Sequence, residues 1–312
     1  MGLTPIAPGI DRIDSDLGSR RLQQWVVRGE AGALLLDTGI AGTVTEAIVP
    51  ALGELGIGVA GLSEVIVSHA DVDHYGGDAE LRALRADLPI RAHALDRPLI
   101  ESWERIAAER YGWYRSRGLD YPAETWEWLR SAAGADTPLD GSLADGERID
   151  LGGIEVEVLH LPGHSLGHIG LFEPAGRTAI VSDAVMGYGF DDRSGRRVAP
   201  PPYVDLDAYR ATIERLRGLG AVRLGTAHFP LFEGADVGAF LDRSRRLSDD
   251  LERAIEAAGG SAVPMPELLT ATAAALGGWP EMEVELARSI GAHLDAAGPD
   301  GTAASATDEG AR

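Results

Sequence analysis

Short apolar runs bounded by polar turns alternate along this chain with stretches whose apolar positions recur every three or four residues. Residues 23–29 (QQWVVRG) and 31–39 (AGALLLDTG) read as two strands joined by a polar, Gly-containing turn. Val44, Ile48, Leu52 and Leu55 then fall at helical spacing over residues 41–55, and Val65-Ile66-Val67 follows as a short buried strand. The polar segment SHADVDHYGGDAELRAL occupies the end of that strand and opens a new helix near Asp78. Strand, helix, strand is an α/β pattern, and such folds commonly place their chemistry where strands end. Between residues 96 and 137 the pattern turns helical and rich in large aromatics: Trp103, Tyr111, Trp113, Tyr114, Tyr121, Trp126 and Trp128. Strands resume at IEVEVLHLPGH and TAIVSDAV. A Gly/Pro/Arg loop over residues 187–202 leads to a helix at LDAYRATIERLRGL, and a further strand, VRLGTAH, ends at His228. Residues 236–297 are helical almost throughout, with breaks at Gly259-Gly260, Pro264-Met265-Pro266 and Gly277-Gly278. The small, polar tail over 298–312 is expected to be disordered. The predicted division is therefore a main domain over 1–235 containing the helical insert 96–137, a helical C-terminal extension over 236–297, and the tail.

Composition narrows the chemistry. With 45% hydrophobic residues in 312, the chain can bury a sizeable core. Its 28 basic residues against 49 acidic ones give a net charge of −21, which repels nucleic-acid backbones and anionic membranes, so neither is an expected partner. Every basic residue is Arg. A Schiff-base lysine, a phosphate-loop lysine and a Ser–Lys dyad are thus excluded, and the absence of Cys removes thiol nucleophiles and thiolate metal sites. The start lacks a basic, apolar leader, and no stretch approaches the ~20 apolar residues of a membrane span, so a cytoplasmic protein is expected.

What remains is His, carboxylate, hydroxyl or metal chemistry. His69-Ala70-Asp71-Val72-Asp73-His74 puts four metal-capable side chains into six residues. Alternation in an extended segment sets His69, Asp71 and Asp73 on one side, and a bend can bring His74 round to them. Gly76-Gly77 follows and permits a tight turn. Three later β-rich runs also end in a metal-capable residue: His164 in LPGHS, Asp183 in IVSDA and His228 in GTAHF.

In order and type, DTG, H-x-[HD]-x-D-H, PGH, SD and AH resemble the metallo-β-lactamase fold superfamily over about residues 20–235. The resemblance implies an αββα sandwich with a dinuclear metal centre. His69, Asp71 and His164 would bind one divalent ion, and Asp73, His74 and His228 the second. Asp183 would bridge the two, and Asp37 would support the ligands from behind. It also implies hydrolysis, in which a metal-bridging hydroxide attacks the acyl carbon of a small-molecule ester, lactone or thioester while Asp73 orients the nucleophile. Zinc is the first expectation for the metal, with manganese or iron as alternatives.

Asp71 departs from the common pattern, where His stands. Three aspartates and a hydroxide cancel the charge of two divalent ions, whereas two aspartates leave one positive charge, so the Asp71 site should acidify water less and accept harder metals better. Other readings of the same resemblance are a redox di-iron or sulfur-oxidising protein and a non-enzymatic binding member. The aromatic insert is either core or a lid. Tyr75, Tyr188 and Tyr203 are candidate substrate contacts, Arg193, Arg196 and Arg197 form a cationic loop, and His93, His160, His168 and His293 are expected to be structural. The helices beyond 235 pack on the sandwich or pair with a second subunit as a homodimer.

Overall fold

A computed structural model describes residues 2–297; the tail expected to be disordered, 298–312, lies outside the described residues. Two sheets face each other. The first has seven strands in sequence order: β1 (Gly2–Ala7), β2 (Ile10–Leu17), β3 (Arg20–Arg28), β4 (Ala33–Leu36), β5 (Leu62–Ile66), β6 (Ile90–His93) and β7 (Gly141–Leu143). The second contains β8 (Arg148–Asp150), β9 (Glu155–His160), β10 (Ile169–Glu173) and β11 (Thr178–Ile180). A two-stranded ribbon, β12 (Phe190–Asp191) with β13 (Arg197–Ala199), stands apart, and β14 (Arg223–Gly225) and β15 (Phe232–Glu233) complete the second sheet in the order β15-β14-β11-β10-β9-β8.

The period-two alternation of the strands explains the layering. Trp25, Val27, Leu34, Leu36 and Ile66 point from the first sheet into a core shared with Val156, Val158, Ile169, Leu171 and Ile180 of the second. Their neighbours Val26, Leu35 and Val65 point the other way, against the helical run from Val44 to Leu52 and the helix Asp78–Leu84. On the outer face of the second sheet, Ala179, Val181 and Leu224 meet the helices Leu206–Leu219, Ala235–Ala257 and Leu286–Ala297. Apolar residues on both faces of both sheets thus demand a helical cover on each side, and the result is the αββα sandwich of the metallo-β-lactamase type.

The glycine and proline breaks act where their chemistry requires. The long helix Ala235–Ala257 stops before Gly259 and Gly260, both in the left-handed region, and Pro264 precedes the next helix, Met265–Ala275, which ends before Gly277. The N-terminal strands β1 and β2 are absent from the sequence expectation. Ile10, Ile13 and Leu17 are spaced as on a helix, while Asp11, buried among them, is paired with Arg28 at 2.7 Å.

Strand direction fixes where the site lies. β4, β5, β6 and β7 run parallel, β11 and β14 run parallel, and β9 shares their direction because both it and β11 are antiparallel to β10. The segments that leave β4, β5, β9, β11 and β14 carry Asp37, His69 to His74, His164, Asp183 and His228, so one edge of the sandwich receives them all.

Candidate metal centre

Each imidazole at this edge is held from behind by its Nδ1. His164 Nδ1 donates to the Pro202 carbonyl and His228 Nδ1 to the Arg21 carbonyl, both at 2.7 Å. His74 Nδ1 lies 2.9 Å from Asp37 Oδ2, and His69 Nδ1 donates to Ser68 Oγ at 2.9 Å, which itself donates to Asp37 Oδ2 at 2.9 Å. Tethering Nδ1 fixes the tautomer and turns Nε2 outward as a free acceptor. The backbone cooperates: Asp37 and Ser182 sit at φ 66° and 45°, unusual for residues with a side chain, and the Ser182 hydroxyl donates to Asp37 at 3.1 Å. Gly163 at φ 137° passes so close to the helix Leu206–Leu219 that a Cβ would lie 2.5 Å from the Tyr209 Cα, and this delivers His164.

Ligand atoms of His69, His164 and Asp183 lie within 4.8 Å of one another, and so do those of Asp73, His74 and His228. Asp183 joins the two groups, its Oδ2 lying 3.2 Å from His228 Nε2 and 3.5 Å from His74 Nε2. Asp73 Oδ2 is 3.4 Å from His228 Nε2. Asp71 stands beside the first group, with Oδ2 3.1 Å from His164 Nε2 and 3.7 Å from His69 Nε2. The Nε2 atoms of His69 and His74 and Oδ1 of Asp183 are buried without a hydrogen-bond partner among the described residues. Buried polar atoms are otherwise satisfied almost everywhere in folded proteins, so inward-facing orphans of this kind fit divalent cations.

The electrostatics of the two carboxylates and of His69 agree, while at His74 and His228 burial lowers the imidazole but the aspartates around each ring prevail and raise it. Burial pushes the Asp183 carboxyl up, but the His228 and His74 rings beside it prevail and hold it well below the usual carboxylate range. Burial likewise opposes ionisation of Asp71, and the Arg110 guanidinium, followed by His164, holds it well below that range. For His69, burial and then the neighbouring His74 lower the imidazole, favouring the neutral ring that a metal needs. Arg110 corrects the charge count made from sequence, because the carboxylate that distinguishes this site carries its own buried counter-ion.

The three tyrosines expected at the pocket are elsewhere. Tyr203 is fully buried, stacked on Tyr209 at 4.5 Å, and its hydroxyl meets His293 Nε2 at 2.7 Å. Tyr188 turns outward to Asp250. Tyr75 follows His74 in a short helix that points it into the core beneath the first sheet. The loop after Asp183 does reach the pocket, but through Phe190, Ala199, Pro200 and Pro202. Arg193 and Arg196 instead make contacts to Asp16 and Asp192, and Arg197 to the Leu276 carbonyl. His168 is buried and stacked on His69 at 4.7 Å, while His160 stacks on His93 at 4.2 Å.

The insert is both core and wall. Tyr114 is buried, and Trp113 lies between Arg117 and Arg288, whereas Arg110, Tyr111, Trp128 and Leu129 line the pocket. Arg20, Met282 and Glu285 also line it and were not expected. Arg110 had a detectable signal. It shares a helical face with the buried Ile106 and Tyr114, four residues to either side, where a charge demands a partner.

An αββα sandwich that gathers metal-capable side chains at one edge defines a known class. The signature of the metallo-beta-lactamase superfamily matches residues 23–228, and the chain belongs to that superfamily, whose members bind divalent metal ions. A metallo-beta-lactamase family protein from Thermus thermophilus superposes with a TM-score of 0.72 over 95% of both chains at 20% identity, a likeness of fold. Among curated relatives, a hydroxyacylglutathione hydrolase from Ruegeria pomeroyi is 44% identical over 92 residues, 28% of this chain and 36% of that protein. One from Dechloromonas aromatica is 28% identical over 165 residues, 53% of this chain and 44% of that protein. The aligned part thus spans less than half the length of either relative. Among the described residues, no helix is long and apolar enough to cross a membrane.

Proposed function

We propose that this chain is a metal-dependent hydrolase acting on a small-molecule ester, lactone or thioester, with a thioester as the leading candidate. The observation that carries the reading is the convergence of Nε2 of His69, His74, His164 and His228 with Asp73 and Asp183 on two adjoining positions. The similarity to hydroxyacylglutathione hydrolases favours the thioester. The proposed cofactors are two divalent ions, zinc first, which His69, Asp71 and His164 would hold on one side and Asp73, His74 and His228 on the other, with Asp183 within reach of both groups. When bound, such ions supply Lewis acidity toward an acyl carbonyl and lower the pKa of water.

The chain's own residues do the rest. Asp73, half-buried and facing the pocket, orients the attacking water and accepts its proton. Phe190, Pro200, Met282 and Trp128 form apolar walls that exclude bulk water and receive an acyl group. Arg20 lies at the same pocket without an ion pair among the described residues, and it attracts an anionic substituent on the substrate.

The test is elemental analysis of protein purified without chelator, followed by a panel of thioesters, esters and lactones on the same sample. Close to two metals per chain and acyl hydrolysis are expected, with occupancy and rate falling together in His69→Ala, His164→Ala and Asp183→Ala. Full activity in a metal-free sample, or no acyl hydrolysis in a loaded one, would overturn the reading.

A further inference from the structure

The groups that grip Asp71 belong to neither sheet. Arg110 and Tyr111 come from the helical insert, and Glu285, which holds Arg110, comes from the turn before the helix Leu286–Ala297. Arg110 lays one edge of its guanidinium along the carboxylate, with Nε 3.1 Å from Oδ1 and Nη2 3.3 Å from Oδ2. The Tyr111 hydroxyl donates to the same Oδ1 at 3.1 Å and accepts the Val72 N–H at 3.1 Å. From its other side Arg110 Nη2 meets Glu285 Oε2 at 3.1 Å, and Glu285 also accepts the hydroxyls of Tyr114, at 2.7 Å, and Tyr121. Arg288 lies half-buried beyond, over the Trp113 ring. Asp71, Arg110 and Glu285 form a buried ionic row that alternates in sign.

A buried ionic row is a poor way to stabilise a fold, because apolar residues of the same volume do as well without the desolvation cost. Its placement has a sharper consequence. Oδ1 of Asp71 is occupied by Arg110 Nε and the Tyr111 hydroxyl, and Oδ2, which also meets Arg110 Nη2, is the oxygen turned to His164 and His69. We propose that Arg110 is a positioning residue for the metal centre, holding Asp71 so that it offers a single oxygen beside His69, His164 and Asp183. Its charge offsets the extra negative charge that aspartate brings in place of imidazole. Glu285 fixes Arg110 in turn, which makes the insert and the C-terminal extension parts of the metal site. The proposal rests on the metal-centre reading and is independent of the substrate.

Cobalt(II) titration of the metal-freed full chain tests it, since the visible spectrum reports ligand number and geometry. In Arg110→Gln one of two binding steps should weaken by about tenfold or more, with an altered spectrum, while the other step stays. Arg110→Lys should restore little, because an ammonium cannot make the two-point contact, and Glu285→Gln should weaken the same step less. A readout specific to positioning is the Asp71→His background, where adding Arg110→Gln should change affinity less than about twofold, for lack of a carboxylate to hold. An equal loss with and without Asp71, or an unchanged spectrum and affinity in folded Arg110→Gln, would overturn the proposal. Should Arg110→Gln not fold, Tyr111→Phe retains every charge; it should weaken the same step measurably, and unchanged affinity there would overturn the proposal as well. A parent chain that binds no cobalt would instead defeat the metal-centre reading.

Discussion

Asp37→Asn removes one charge and almost no volume from a residue that stands behind the Nε2 cluster, and its effect can be worked out atom by atom. Oδ1 of Asp37 accepts the Ser68 N–H at 2.7 Å, a backbone donor that cannot be reversed. The amide oxygen of the substituted side chain must therefore keep that place, and its NH2 takes the position of Oδ2, opposite His74 Nδ1. Two N–H groups cannot face each other, so His74 must turn Nδ1 into an acceptor and carry its proton on Nε2. The nitrogen aimed at the metal position is then blocked. Asparagine tolerates the left-handed backbone that Asp37 adopts, so the fold should survive. Loss of such a support typically weakens metal affinity by about 10–100-fold, or ~1.4–2.7 kcal/mol, and the loss should fall chiefly on the position shared by His74, His228 and Asp73, with a smaller effect at His69 through Ser68. Chelator competition measures the affinity, and melting curves without metal check the fold. Affinity within about twofold of the parent, in a folded variant, would refute the claim that Asp37 sets the tautomer.

Other consequences are as direct. Trp128→Ala, at a 36% exposed position on the pocket wall, should change KM and substrate preference with little shift in Tm, whereas Tyr114→Ala, fully buried, should cost about 3–5 kcal/mol of stability; kinetics and thermal melts on both variants separate wall from core, and a large Tm loss in Trp128→Ala would contradict the assignment. Burial pushes the Asp78 carboxyl up to about 8. Between about pH 4 and 8 the folded state thus binds more protons than the unfolded chain, so stability should fall as pH rises through this window, and Asp78→Asn should flatten that slope in a pH series of melts. Gly163→Ala should cost about 1–3 kcal/mol and lower metal occupancy by displacing His164, and elemental analysis that finds full occupancy would argue against the close approach to Tyr209.

What could be read beforehand was whatever the chain writes locally. Asp37, the HADVDH segment, His164, Asp183 and His228 each close an apolar run, and a strand's end is a local event, so their convergence needed only parallel strand direction. The aromatic insert was visible as a helical segment, but its division into wall and core depends on which face meets the residues around 285, which spacing within the insert does not encode. Glu285 lies more than 170 residues from Arg110, and no local pattern links them. The tyrosines fail for a related reason. Nearness in sequence to Asp183 suggested nearness to the pocket, yet Tyr203 belongs to the approach of the helix Leu206–Leu219 and follows that helix into the outer core. β2 escaped because buried polar residues such as Asp11 and Ser15 broke the alternation that marks a strand, and β1 because none of its residues is fully buried.

Ile180 of β11 lies beside Gly225 of β14, and Asp183 and His228 each follow their strand partner by three residues. The separation of these two side chains is therefore governed by the pitch of the sheet, about 4.8 Å between neighbouring strands, rather than by whatever loop comes next. Much of the chain leaving the edge after His74, Asp183 or His228 can vary in length and content without moving Asp183 or His228, so this architecture suits replacement of pocket walls by grafting. Two side chains nevertheless draw their hold from such walls, His164 from the Pro202 carbonyl and Asp71 from Arg110 and Tyr111. A graft that exchanged residues 96–137 for another loop would leave Asp183 and His228 in register, and would release the one carboxylate whose partners travel with the insert.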